Sequence, residues 1–241
     1  LAGQLHLPPT ADRRADVRRL YLNAHQTNQR TPSFVARLRR REVVHGEAKP
    51  LEVMVFKFRR QPLSVHLKWM TPDGPGREVL YVAGQHEGKV QVRLGAGDVP
   101  LMRAGTVMAF HPENPLITRS SRHPISDAGF DDALRQFGEL LAALDRGQTN
   151  VGDLRYLGRV QRPEFAGPVE GLEQTMVAGA DPLFPKGGRR IAFFDPLTHL
   201  PTLVIAYDHT GAEAEYYCFD RFELPLNLDD HDFDPRVLWP R

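Results

Sequence analysis

Hydrophobic residues recur along this chain with two different spacings. From Asp12 to Gln29, Val17, Leu20, Tyr21 and Ala24 follow the i, i+3, i+4, i+7 rule of a helix with one apolar side. Asp12 stands where it can cap that helix. The period then drops to two. Strands are predicted at 33–45, 51–60, 62–70, 77–83 and 88–94, separated by the turn-rich stretches HGEAKP, TPDGPG and GQHEGK. Connections this short predict antiparallel neighbours.

Residues 111–125, HPENPLITRSSRHPI, carry three prolines and read as an irregular excursion. Helical spacing returns over 127–145, where Phe130, Leu134, Phe137, Leu141 and Leu144 make one stripe. Ser126 offers that helix an N-cap and Gly147 a stop. Further strands are predicted at about 152–161, 169–178, 189–195, 202–208 and 213–224, before the polar tail LDDHDFDPRVLWPR. No repeat, low-complexity block or linker divides the chain. A single α+β domain over residues 1–241 is predicted, mostly antiparallel strand with two main helices.

Side chains alternate faces along a strand, so the first strands can be compared face by face. Phe34, Ala36 and Leu38 share a side, as do Met54, Phe56 and Phe58, and then Leu63, Val65, Leu67 and Trp69. The alternate positions are Arg37, Arg39 and Arg41, then Lys57 and Arg59, then His66 and Lys68. Val90, Val92 and Leu94 repeat the split against Gln91 and Arg93, while Val53 and Val55 fall on the basic side. Paired as hairpins, these strands have one aromatic-aliphatic face and one basic band. The apolar face needs a cover, and the stripe of 127–145 is the natural one. Two outcomes remain open: a closed core, or a hollow that receives an apolar guest. Periodicity alone does not separate them.

Composition adds limits rather than a function. Hydrophobic residues are 41% of the 241, charged residues 25%, and the formal net charge is +1, which calls for no nucleic acid. The single cysteine, Cys218 in EYYCFDRF, excludes an internal disulfide and a multi-cysteine zinc site, and reads as a buried small residue. No apolar run approaches the roughly 18–20 residues of a membrane-spanning helix. The opening LAGQLHLPPT shows neither the basic start nor the long apolar stretch of a leader.

Catalytic patterns are sparse. There is no G-x-S-x-G elbow, H-E-x-x-H, P-loop or dinucleotide fingerprint, and no cofactor or metal is predicted. Asp229, Asp230, Asp232 and Asp234 lack the central glycine and closing glutamate of a calcium loop, so they read as a solvated turn. The basic band reads as a solvated face, without the interleaved aromatics of a single-strand nucleic-acid groove but able to approach anionic headgroups. His123 and Asp127 near Ser120 or Ser121 are the one candidate hydrolase set, and a triad is a matter of geometry.

Several segments resemble one bacterial family in the same order. They are FVARLRRREVVHG (34–46), PLSVHLKWM with GREVLYVAG (62–70 and 76–84), PENPLITRSSRHPISDAGF (112–130), FDPLTHLPTLVIAYD (194–208) and YYCFDRFELPLNLDDHDFDP (216–235). That family is a domain of unknown function typical of envelope proteins, similar to the LolA/LolB lipoprotein-carrier superfamily. The resemblance covers about residues 12–235. It implies a strongly curved, incomplete antiparallel barrel whose concave face is covered by helices. In characterised relatives that hollow holds acyl chains or other lipids, and a related domain senses envelope stress. It also implies a periplasmic or otherwise exported, non-enzymatic protein, since no catalytic residue carries over.

The expected hollow is then lined by Phe34, Leu38, Met54, Phe56, Phe58, Leu67, Trp69, Phe130, Leu134, Phe137 and Leu141, with Trp69 at its rim. The expected partner is an acyl chain or lipid, as carrier cargo or sensed ligand. The alternative is a fully packed interaction module that docks an envelope protein or an anionic membrane surface. The TPDGPG loop differs from the carriers' own, and the arginine they use near the cavity mouth has no counterpart here.

Overall fold

A computed structural model describes residues 10–71 and 75–240, which leaves part of the TPDGPG loop outside the described residues. Twelve strands and four helices follow one another in it. Their contacts group into two compact units: residues 1–27 with 133–212, and residues 28–132 with 213–241. These are called unit 1 and unit 2.

Unit 2 is built on β1 (Ser33–Val44), β2 (Glu47–Ala48), β3 (Glu52–Arg59), β4 (Ser64–Trp69), β5 (Glu78–Val82), β6 (Val90–Arg93), β7 (Val107–Phe110) and β12 (Glu213–Glu223). The spatial order is β7-β6-β5-β4-β3-β1-β12, antiparallel throughout, with β2 folded back on β1. The β1–β2 hairpin turns on His45 and Gly46, both at positive φ (50° and 81°), as a two-residue turn matched to strand twist requires. The predicted strands are present within one or two residues at each end. β7 and β2 are additions: β2 is too short to show a period, and β7 is an edge strand whose side chains are only half covered or exposed.

Unit 1 has the order β8-β9-β10-β11 from β8 (Asp153–Val160), β9 (Val169–Met176), β10 (Gly188–Phe194) and β11 (Pro201–Asp208). It also contains most of α1 (Thr10–Arg30) and α3 (Asp131–Asp145). Tyr21 of α1 packs edge-on against Phe137 of α3 at 5.1 Å, and Arg18 pairs with Asp145 at 2.7 Å. Gly138 permits this approach, because a Cβ there would lie 2.7 Å from the Tyr21 ring. Among the described residues, the strand order does not return on itself within either unit. The fold class is α+β with an open antiparallel sheet, as the pattern predicted.

Two helix starts differ from expectation. α1 opens at Thr10, which puts Asp12 inside the helix instead of at its cap. Ser126 does not cap α3: residues Ile125–Asp127 form a separate short turn, Ala128 is extended and Gly129 has φ +95°. Gly129 is required there, since a Cβ would sit 2.6 Å from the Phe58 ring. α3 begins only at Asp131, whose carboxylate accepts from Asn28 Nδ2 at 2.8 Å and Arg60 Nε at 2.9 Å. Phe130 therefore precedes the helix and is free of its stripe.

Candidate functional site

The apolar face of unit 2 follows from register. Phe34 lies opposite Phe58, Ala36 opposite Phe56 and Leu38 opposite Met54 on β1 and β3. Phe58, Phe56 and Met54 in turn face Val65, Leu67 and Trp69 on β4. Cross-strand partners share a face, so seven of the eleven expected lining residues belong to one surface. Phe130 reaches the same surface from the connection before α3, stacked on Phe34 at 5.4 Å with the rings 9° from parallel. Leu134, Phe137 and Leu141 are buried on the part of α3 that belongs to unit 1.

Sequence reasoning missed two rings. Phe219 lies 5.1 Å from Phe130 and 6.0 Å from Phe56, and Phe222 lies 5.7 Å from Phe34. Residues three apart cannot share a face of a regular strand. A bulge makes it so here: Arg37 pairs with Asp220 and Val35 with Glu223, so β12 spends one more residue than β1 over that interval. Arg221, at φ +53°, absorbs the extra residue. Six phenylalanine rings thus contact one another on one sheet face.

The apolar track ends abruptly. One rung beyond Leu38 and Met54, Arg40 faces Glu52, and one rung further Glu42 faces Glu215 of β12. Arg40 Nε donates to Glu52 Oε2 at 2.9 Å and its Nη1 to Ser121 Oγ at 3.2 Å. Glu42 accepts from the Tyr217 hydroxyl and from the backbone N–H of Arg122. Arg122 Nε donates to Glu215 Oε1 at 2.7 Å, and His123 Nε2 lies 3.2 Å from the same oxygen. Glu42 and Glu215 are each only 2% exposed. Burial, reinforced by Glu42 and Glu215, drives the Tyr217 phenol well above its ordinary range. Burial would lower the Arg40 guanidinium, but Glu52 and Glu42 outweigh it and leave it raised. Trp69, expected at a rim, is buried at this boundary: its Nε1 donates to Glu52 Oε1 at 2.8 Å and Arg77 lies over its ring. A cleft of about 250 Å³ lies past the charged rungs, lined by Arg41, Glu42, Val43, Ala48, Glu213 and Ala214 and by none of the expected hollow residues.

The connection from β7 to α3, residues 111–130, spans both regions. Ile117 and Ile125 pack on Val90, Val92 and Leu94, residues 121–123 hold the charged rungs, and Phe130 tops the aromatic rings. It is the cover of this face within unit 2.

The opposite face corrects two expectations. The tail is more than a solvated turn: Asp229 and Asp230 are exposed, but Phe233 and Trp239 are buried against Leu80 and Val82. Nor is the basic band simply solvated. Arg59 and His66 are buried, Arg59 pairs with Asp230 at 2.8 Å, and the Arg59 and Lys57 cations lie over the Phe233 ring. Glu78 gathers His66 Nε2 at 2.8 Å, Trp239 Nε1 at 3.0 Å and Arg93 Nη1 at 3.2 Å. Burial alone would raise its carboxyl, but the bonds from His66 and Trp239 hold it below the usual range. Arg37 and Arg39 share Asp220, and Arg41 pairs with Glu213. Cys218 is fully buried beside Arg39, and burial pushes its thiol up.

Residues 31–237, which include every strand of both units, match a family described as protein of unknown function, DUF1571. The chain belongs to that family. Among curated proteins, none matches it in sequence. Among solved structures it is similar to MucB, at 14% identity and a TM-score of 0.55 over 91% of this chain and 62% of that one. It is similar also to MucB in complex with MucA(peri), at 14% identity and a TM-score of 0.50 over 91% of this chain and 59% of that one. The Mycobacterium tuberculosis lipoprotein LppX matches at 12% identity and 0.49, over 89% of this chain and 99% of that one. A LolA superfamily protein from Nitrosomonas europaea matches at 11% identity and 0.37, over 90% of this chain and 97% of that one. The DUF1571 chain thus spans less than two thirds of the MucB chain, and the likeness is one of fold.

In this DUF1571 chain the residues considered for a hydrolase have other partners. Ser120 Oγ donates to the Ile117 carbonyl, Ser121 Oγ to Glu42 Oε1, Asp127 Oδ1 accepts from Ser126 Oγ, and the His123 ring meets Glu215. Among the described residues, no group of three or more His, Cys, Asp or Glu side chains is arranged to hold a metal ion. No described helix is long and apolar enough to cross a membrane.

Proposed function

We propose that this chain is a non-enzymatic protein of the bacterial envelope that shelters an acyl chain or lipid on the aromatic face of unit 2, as carrier or sensor. One observation carries the reading: six phenylalanine rings share a sheet face whose cover is a connecting segment. Five of the rings stand on strands, and the sixth, Phe130, stands on a stretch outside regular structure. Displacing that stretch exposes an apolar track of roughly 14 Å from Phe34 to Leu38, at about 3.4 Å per residue, before the first charge at Arg40. Each buried methylene contributes about 0.8 kcal/mol, so about fourteen carbons supply on the order of 11 kcal/mol gross. Association and ordering costs take back a large share, leaving affinity in the micromolar range.

The second reading is a packed module that binds a protein partner. Its support is that the rings already fill one another's contact shells, at centroid separations of 5.0 to 6.5 Å. A protein of this fold, MucB, has been solved with MucA(peri) bound. Ion pairing and the tail leave the basic band little free charge, which counts against its docking to an anionic membrane.

The deciding experiment is titration of the delipidated protein with a fluorescent fatty acid. Saturable binding that weakens in Phe56→Ala is expected. An unchanged probe at concentrations far above micromolar would give the ground to the second reading.

A further inference from the structure

The connection between β6 and β7, residues 94–106, is far longer than the two to five residues of an ordinary hairpin loop. Its base is held firmly. Asp98 accepts from Gly95 N at 2.7 Å and Arg77 Nε at 2.8 Å, and Leu94 and Gly105 or Thr106 exchange backbone bonds across the neck. At the tip, Met102 N donates to Val99 O at 3.2 Å and closes a four-residue turn. Pro100 is its second residue and Leu101, at φ +65°, its third. This is the type II pattern, whose third position is ordinarily glycine because a Cβ there crowds the backbone.

Leu101 accepts that strain and gains no packing, since it is 105% exposed. Val99, Met102 and Val107 beside it are also exposed, at 36%, 38% and 45%, and exposed Arg103 follows. A strained, uncovered, apolar tip on a pinned base serves something outside the fold.

We propose that this tip is a membrane-contact point, placing Leu101 and Met102 among lipid acyl chains while Arg103 meets anionic headgroups. The shape favours lipid over protein. A stable protein interface takes about 800 Å² from each partner across a complementary surface. A convex turn with a handful of exposed side chains offers no such surface, whereas a bilayer accepts single side chains. The basic band is the poorer candidate, because most of its charges are paired or covered by the tail.

The test uses the full chain with vesicles of phosphatidylcholine alone and of phosphatidylcholine with phosphatidylglycerol, read by flotation. The wild type is expected to float with both and more strongly with the anionic mixture, and Arg103→Glu should remove the difference. Leu101→Asp should lower the partition constant by about tenfold or more. Leu101→Gly relieves the turn, so it should fold at least as well and still lose partitioning. Leu101→Trp should shift its emission to the blue on vesicle addition, against Trp69 and Trp239, which are buried.

A wild type that ignores both vesicles overturns the proposal, as does Leu101→Gly floating like the wild type. Lipid-free self-association abolished by Leu101→Asp, with no flotation, overturns it in favour of protein contact. The fatty-acid titration is independent of this site: Leu101→Asp should bind the probe normally, and Phe56→Ala should still float.

Discussion

Phe130 lies flat on Phe34, ring centroids 5.4 Å apart and planes 9° from parallel, and it is the only one of the six clustered rings not carried by a strand. It also meets Phe219 edge-on and is 3% exposed. Phe130→Ala removes a full core ring and should cost about 3–5 kcal/mol in urea unfolding of the lipid-free protein. If the face receives an acyl chain, saturating ligand should restore part of that loss, about 2.7 kcal/mol at a hundredfold excess over Kd. A loss that no fatty acid recovers would mark Phe130 as core alone.

Gly129 makes that stacking sterically feasible. Its φ of +95° disfavours any side chain, and a Cβ would collide with the Phe58 ring at 2.6 Å. Gly129→Ala should therefore cost about 2–4 kcal/mol, strain and collision together. Gly46→Ala is the control: φ is +81° but nothing lies within 4 Å, so only the backbone term of about 1 kcal/mol remains. Equal thermal shifts for the two variants would contradict the close approach of residue 129 to β3.

The sheet of unit 2 was legible because period-two alternation and turn residues speak to local geometry. The shared face of Phe34, Phe56, Phe58 and Leu67 came out of that alternation directly. Phe219 and Phe222 did not, because a bulge at Arg221 breaks the period that would have joined them. Arg40, Glu42, Glu52, Arg122 and Glu215 are scattered over the chain, and only strand register brings them together. The strap of Phe233 and Trp239 stayed hidden among acidic residues, where two apolar positions six apart form no period. Ser126 misled as a cap because nothing local announces the extended Ala128 and the left-handed Gly129 that follow it.

Tyr217 gives the protein an alkaline limit. Its hydroxyl donates to buried Glu42, and burial with Glu42 and Glu215 nearby holds the phenol well above its ordinary value near 10. The folded state keeps this proton to higher pH than the unfolded state does. The stability it contributes is complete below about pH 10 and lost as pH rises toward the folded value. Tyr156, raised mainly by burial and by Glu170, adds to the same slope. Tyr217→Phe should thus flatten the fall in stability between about pH 9 and 11 without abolishing it. At neutral pH it should cost about 1.5–3 kcal/mol, the contribution of a hydrogen bond to a buried carboxylate. An unchanged alkaline slope would exclude Tyr217 as its source.

The tail tests whether residues 226–239 belong to the fold of unit 2 or merely rest on it. Phe233 is 2% exposed, sits on Leu80 and Val82, and carries Arg59 over its ring at 5.0 Å. Phe233→Ala should cost about 3–5 kcal/mol, the loss of a buried ring that the rigid sheet beneath cannot refill. Trp239→Phe keeps the apolar contact but withdraws a donor from Glu78, whose His66 and Arg93 partners remain, so about 1–2 kcal/mol is expected. Both residues hold the same strap over β5. Once Phe233→Ala has loosened it, Trp239→Phe should cost less than it does alone, and the double variant should fall short of the sum by about 0.5 kcal/mol or more. Proteolysis should then cut first within 226–239 in Phe233→Ala. A Phe233→Ala variant within about 0.5 kcal/mol of the wild type would show that the tail is not a packed element, and additive losses would show that its two anchors act independently.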